Sequence, residues 1–406
     1  MTTPNDPTSV PTPTPNWSHT PQPGNFVNSV AVSGDGGTVV GGTFKHTYPG
    51  EAVARPRRTP GPDGQAAAST ASADYGVYCY NGSGGTLRWS DVFNAYEGVY
   101  WVAVSADGSR AAAGGTWSDS PYACFLRAFD ATNGTILLDH RTSARVNMVA
   151  MSADGEWLIA GAESVMLFQY DSTTGKYKQT GGFTPSVASG NSEVVSVGIS
   201  ADGSSILYAE YTGTMGYALN EGGLMAVLKT FAIPNGGYCH STSLSASGNF
   251  FASGGNDGKF YMFDVAQFLQ SGQPTYTCQT SASGAIYGVA VSDDGSSYAG
   301  VINTSDTGEV YLVPVSGGVQ QPAQTFKTQR NPNCVTLDSA HGLMAVADGH
   351  PDGTPGHFYL YSNIGGTASE TWCYPTGNMS WPVSIAANGQ SVVGGSDDSS
   401  IYSFPV

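Results

Sequence analysis

One phrase recurs eight times in this 406-residue chain, and it restricts the fold more tightly than anything else in the sequence. Each copy begins with an alternating apolar run, passes through Ser-x-Asp-Gly or a close variant, and returns in a second run ending in small residues. It reads VNSVAVSGDGGTVVGG from Val27, VNMVAMSADGEWLIAG from Val146 and IYGVAVSDDGSSYAG from Ile286. The turn glycines are Gly36, Gly108, Gly155, Gly203, Gly248, Gly295, Gly342 and Gly389, spaced by 72, 47, 48, 45, 47, 47 and 47 residues. Self-similarity at such a period marks an array of small units that bury their faces against one another.

Each copy reads as a hairpin, with Asp-Gly or a variant supplying the positive-φ turn between two strands. Runs such as VMLFQYD (Val165 to Asp171) and KFYMFD (Lys259 to Asp264) supply a third strand. TLRWSD (Thr86 to Asp91) and ETWCYP (Glu370 to Pro375) supply a fourth. Four short antiparallel strands per period make the blade of a β-propeller. The expected fold is therefore all-β, a single eight-bladed propeller. Helical periodicity is confined to one expected turn at VAQFLQ after Asp264. The last copy stops at its third strand, IYSFPV, and the segment around Trp17 stands where a fourth belongs. The ring is thus expected to close on the N-terminal strand, which removes an open sheet edge. Residues 1–14, rich in Pro, are expected to be a disordered tail, and 15–406 the propeller. The long first interval is expected to hold a lid-like loop over 44–75.

Composition narrows the partners. The 54 Gly fall largely at turns and strand ends, and the net charge is −16. That balance argues against a nucleic-acid groove or an anionic membrane surface. The N-terminus has no basic segment followed by an apolar run, and no window approaches 18 apolar residues, so a cytoplasmic protein is expected. Six Cys without a C-x-x-C pair are expected to be buried free thiols. No His-x-His, His-Glu-x-x-His, Gly-x-Ser-x-Gly or phosphate-loop motif is present, so neither metal nor cofactor is expected.

The Ser-x-Asp-Gly hairpins followed by Gly-Gly resemble WD-repeat blades, although the Gly-His and Trp-Asp signatures of that family are missing. Between third and fourth strands the chain is more similar to quinoprotein-type repeats, which carry an Ala-x-Asp-x-x-x-Gly-x-x-x-Trp docking pattern. Tyr80-Asn81 with Gly85-x-x-x-Trp89 matches its second half. Ala128-x-Asp130-x-x-x-Gly134 matches its first, with Leu138 at the Trp position. The resemblance spans residues 17–406 and implies a fold alone, since propellers serve enzymes, ligand binders and interaction hubs alike.

A site is sought where the repeat breaks its own rule. The copies align on the residue three before each turn Gly: Ser33, Ser105, Ser152, Ser200, Ser245, Ser292, Ser339 and Ala386. Two positions upstream the residues are small, with Leu337 the exception. Five upstream, parity calls for core residues, yet the register carries Asn28, Tyr100, Asn147, Val195, His240, Tyr287, Cys334 and Trp381. Adjacent turns add Glu97, Arg145 and Glu193. The facing loops add Glu163, Asn303, His350 and Asp397, with Glu210 close by. All fall at one expected mouth of the channel.

Aromatic walls with a few polar groups suit a small-molecule pocket. The expected function is an acid–base enzyme for a condensation, cyclisation or lyase-type step on an aromatic or amine substrate. Glu97, Glu163, Glu193, Glu210 and His240 are the expected catalytic groups. Asn28, Tyr100, Arg145, Asn147, Tyr287, His350, Trp381 and Asp397 are expected to bind the ligand, with the 44–75 loop closing over it. Six Lys against nine Arg fit a GC-rich bacterial source, where stand-alone propellers serve specialised metabolism. The alternative is a non-catalytic propeller scaffold that binds a protein or peptide across its face. A quinone-dependent enzyme is disfavoured, because the resemblance is confined to docking segments.

Overall fold

The repeated phrase has a local cause that the computed structural model makes explicit. The structure describes residues 10–44, 75–93, 98–116, 124–185, 193–234, 239–280, 284–304 and 308–406. In the first copy the Ser33 hydroxyl donates to Asp35 Oδ1 at 2.6 Å and accepts from the Thr38 N–H at 2.9 Å. The Gly37 N–H donates to the same Asp35 oxygen at 2.8 Å. Gly36 between them sits at φ +72°, which favours a residue without a Cβ. Ser105 with Asp107, Ser152 with Asp154 and Ser200 with Asp202 repeat the hydroxyl–carboxylate bond. In Asp35 and Asp202 the serine bond, ahead of the backbone N–H, holds the carboxyl below its usual range.

The turns are also tied to one another. Gly34 N donates to Ala106 O, Asp107 N to Ala153 O, Ala153 N to Ala201 O and Ala201 N to Ala246 O, at 2.8–3.1 Å. Ala246 N continues the chain to Asp293 Oδ1 at 2.6 Å. Asn388 N donates to Gly34 O at 2.9 Å, which joins the eighth copy to the first.

Each hairpin belongs to an antiparallel sheet. In the third copy Met148–Met151, Trp157–Gly161, Val165–Asp171 and Lys176–Phe183 pair in chain order, and the other copies follow the same plan. The first and second copies are joined into one larger sheet by the pairing of Phe44 with Gly98. Sheet packs on sheet through apolar side chains; Leu126, Val146, Leu158 and Phe168, all buried, form one such layer between the second and third copies. The small residues ending each second strand make this approach possible. A Cβ on Gly114 would fall 2.3 Å from a Val146 methyl of the next copy.

The strand Trp17–His19 pairs with Ile401–Pro405, Trp17 opposite Ser403. Trp17 is buried, its indole N–H donates to Gly82 O at 2.7 Å, and its ring lies against Gly85. Trp89 repeats the arrangement one copy later, donating to Ala131 O at 2.9 Å and packing on Gly134. The two partial docking patterns in the sequence mark these contacts.

Two expectations meet structure that differs, and a third lies outside the described residues. The helix after Asp264 runs over Val265–Ser271, longer than one turn, because the Asp264 side chain caps it by accepting from Gln267 N. The tail ends earlier than expected: Val10 packs beside the core of the sixth and seventh copies, and Pro11 O accepts from Cys373 N at 3.2 Å. Residues 45–74 of the expected lid lie outside the described residues. All six Cys are free, five of them buried.

Candidate functional site

The register at which alternation fails has a structural cause. In most first strands the pairing skips one residue there: Asn28, Tyr100, Val195, His240, Tyr287 and Asn333. In the eighth copy it skips Trp381 and Pro382. A β-bulge puts the extra side chain out of alternation and re-aims it. The polar and aromatic character of this register therefore belongs first to the bulge. The seventh copy shows it most clearly, because Asn333 and not Cys334 occupies the bulge.

Asn28 and Asn147, expected to bind a ligand, and Asn333, which was not, are fastened to the next copy. Asn28 Nδ2 donates to Tyr100 O at 2.7 Å, Asn147 Nδ2 to Val194 O at 3.0 Å and Asn333 Nδ2 to Ser380 O at 2.9 Å. The three buried amides thus bolt first strand to first strand. Arg145 Nε donates to Asn147 Oδ1 at 3.0 Å, and its guanidinium lies 4.1 Å over the Tyr100 ring.

Of the expected catalytic carboxylates, Glu163 serves a loop of the third copy, and Glu193 and Glu210 flank one strand pair of the fourth. Glu163 accepts from Ser143 N and Ala144 N at 3.3 and 3.1 Å, capping the loop before Asn147. Glu210 is buried at its strand end and accepts from Thr212 Oγ1 at 3.2 Å; burial raises its carboxyl above the usual range. Glu193 contributes its backbone carbonyl to the Tyr211 N–H. Glu97 and the His240 side chain lie outside the described residues. Among the described residues no group of three His, Cys, Asp or Glu is placed to hold a metal ion, and no helix is long and apolar enough to cross a membrane.

Three expected residues do converge. Tyr287, His350 and Trp381 share a cavity of about 310 Å³ where the first strands of the sixth to eighth copies begin. Asn303, Asn331 and Met379 complete its character. Asn303 Oδ1, Asn331 Oδ1 and His350 Nδ1 are all buried without a hydrogen-bond partner. The His350 nitrogen is 3.5 Å from Asp352 Oδ2, a distance for an ion pair and not for a hydrogen bond. Asp397 lies next to this wall through its N–H bond to Met379 O; burial, and then neighbouring Asp398, push its carboxyl well above the usual range. Orphaned buried polar atoms are rare in native proteins, and three of them belong to residues around this one cavity.

No family model matches the chain, and no curated protein matches it. Solved structures do: 1661 chains share the architecture, so the fold by itself selects no function. Saccharomyces cerevisiae Sqt1 superposes with a TM-score of 0.68 at 10% identity, covering 98% of this chain and 100% of that one. Chaetomium thermophilum Sqt1, solved bound to the N-terminus of the ribosomal protein L10, gives 0.67 at 13% identity, covering 96% and 98%. With the repeated four-stranded sheets, these matches make the fold an all-β propeller of the WD-repeat type.

The same comparison corrects the expected enzyme and its small-molecule partner. Chaetomium thermophilum Sqt1, which shares this fold, is seen with a protein segment bound. Of the carboxylates expected to perform acid–base chemistry, Glu163 caps a loop of the third copy and Glu210 is buried at a strand end of the fourth.

Proposed function

We propose that this chain is a non-catalytic propeller scaffold that holds a segment of a protein partner at the cavity shared by Tyr287, His350 and Trp381. Eight blades closed into a ring by the N-terminal strand belong to the same reading. The pairing of Trp17 with Ser403 and the packing of Gly395 on Val27 support that closure. The Trp89 contact on Gly134 supports the quinoprotein-type comparison for the first two copies.

One observation carries the binding assignment: two aromatic residues, Tyr287 and Trp381, line a single cavity together with Asn303, Asn331 and His350. Tyr and Trp gathered at a pocket are the usual anchors of an interface hot spot. The net charge of −16 favours a basic segment. The L10 segment bound to Chaetomium thermophilum Sqt1 supports the protein class of ligand. The test is selection of random 12-residue peptides on the immobilised intact protein, with affinities then measured by calorimetry. Trp381→Ala and Tyr287→Ala should each weaken the selected peptides at least tenfold. Peptides that bind both variants as tightly as the parent would place the interaction elsewhere and end this reading.

A further inference from the structure

The chain ahead of Trp17 does not simply trail away from the propeller. In Val10-Pro11-Thr12-Pro13-Thr14-Pro15 every residue is a proline or precedes one. Proline fixes φ, and the residue before it is pushed to extended backbone, so these six residues form a stiff rod. From Val10 to Asn16 such a rod spans about 19 Å, at about 3.1 Å per residue. Three of its residues lack an N–H, so it can lie along a sheet edge but cannot pair with it as a further strand.

The rod is fastened across the seventh copy. Asn16 N donates to Ser403 O at 2.7 Å, on the eighth copy. Pro11 O accepts from Cys373 N at 3.2 Å, on the outermost strand of the seventh, Ser369–Pro375. Val10 packs where the sixth and seventh copies meet, beside the core that holds Val310, Tyr361 and Cys373. Gln324 holds the same joint, donating to Gly366 O and accepting from Ala368 N. We infer that residues 10–16 are a latch: seated, they hold the seventh copy against the sixth and the eighth; released, they let the joint between the sixth and the seventh open. The cavity lined by Tyr287, His350 and Trp381 draws its walls from the same three copies, but the latch does not depend on what occupies it.

Cys373 is a native reporter of the joint, because its thiol is buried there. Alkylation of the intact protein by iodoacetamide, mapped by mass spectrometry, should modify Cys373 at least tenfold faster in Val10→Asp than in the parent. Hydrogen exchange at Gln324–Thr328, across the joint, should rise with it. Cys124, buried in the second copy, should keep the parent rate. Val10→Leu keeps an apolar anchor and should react like the parent. Replacing Pro11, Pro13 and Pro15 together by Gly leaves Val10 in place, loosens the rod and should speed Cys373 severalfold, a response that local packing of Val10 alone would not give. Circular dichroism and Tm establish that each variant is folded. Alkylation of Cys373 at the parent rate in Val10→Asp, equal acceleration of Cys373 and Cys124, unchanged exchange at Gln324–Thr328, or no response to the Gly replacements would overturn the inference.

Discussion

Replacing Trp17 by Ala tests whether the N-terminal strand holds the molecule together. The ring is buried against Gly85 and close to Tyr80, and the indole N–H bonds Gly82 O. Deleting a core Trp costs about 3–5 kcal/mol through lost transfer energy and the cavity left behind. The bond to Gly82 O accounts for about 1 kcal/mol of the loss. A total near 4 kcal/mol is a large part of the 5–15 kcal/mol typical of a whole protein. For a chain of this length the unfolding entropy is about 0.85 kcal/mol/K, so cooperative melting should fall by about 5 °C. Calorimetry, with urea titration beside it, supplies the measurement. Trp17→Phe retains a ring without the donor and should recover more than half the loss. Trp89→Ala, the same docking contact between the first two copies, serves as the internal reference. A shift below about 1 °C for Trp17→Ala, with Trp89→Ala behaving as expected, would refute closure by the N-terminal strand.

Three further outcomes follow from the geometry. Burial raises the carboxyl of Glu370 to about 7, so its ionisation opposes folding; stability should decline as pH rises from the unfolded value near 4.5 through about 7. Glu370→Gln should flatten that slope and leave the variant the more stable at pH 8, read from urea midpoints; an unchanged slope would exclude the residue as its source. Asn28→Ala strands the Tyr100 carbonyl and should cost about 1–3 kcal/mol in the same assay, while leaving affinity for selected peptides unchanged. Gly134→Ala puts a Cβ 2.9 Å from the Trp89 ring at φ +77°, and should lower Tm by at least as much as Asn28→Ala; a neutral result would mean that the Trp89 ring is free to move aside.

The fold was legible because its signal is a repeat, and each copy carries the physical reason for its own turn. Ser-x-Asp-Gly can be read as a hairpin from a single copy, since Ser33, Asp35 and Gly36 each satisfy a local requirement. The site was legible only in part. Tyr287, His350 and Trp381 stood in registers that the topology brings to one mouth. Asn28 and Asn147 stood in the same registers, but their roles depend on a carbonyl of the next sheet, which no single copy reveals. Asn333 was missed because the seventh copy is displaced by one residue: Asp338 pairs with Leu343, occupying the place that Ser33 takes elsewhere. The sequence did carry one trace of that displacement. Leu337 was the exception at a position otherwise held by small residues, and moving the copy by one puts Thr336 there and Asn333 at the bulge. The expected enzyme rested on Glu residues of which one, Glu163, caps a loop, a role that depends on loop geometry and not on the register it occupies.

The hydrogen bonds that run from turn to turn have a mechanical consequence. They connect the eighth copy to the first and continue to the sixth; among the described residues none joins the turn of the seventh to that of the sixth or of the eighth. A string of bonds yields first where it is interrupted, so breathing of the molecule is expected to concentrate on the two sides of the seventh copy. The cavity opens on the same sector. The displaced seventh copy thus gives the assembly a compliant side, where an incoming chain can be admitted without loosening the other joints.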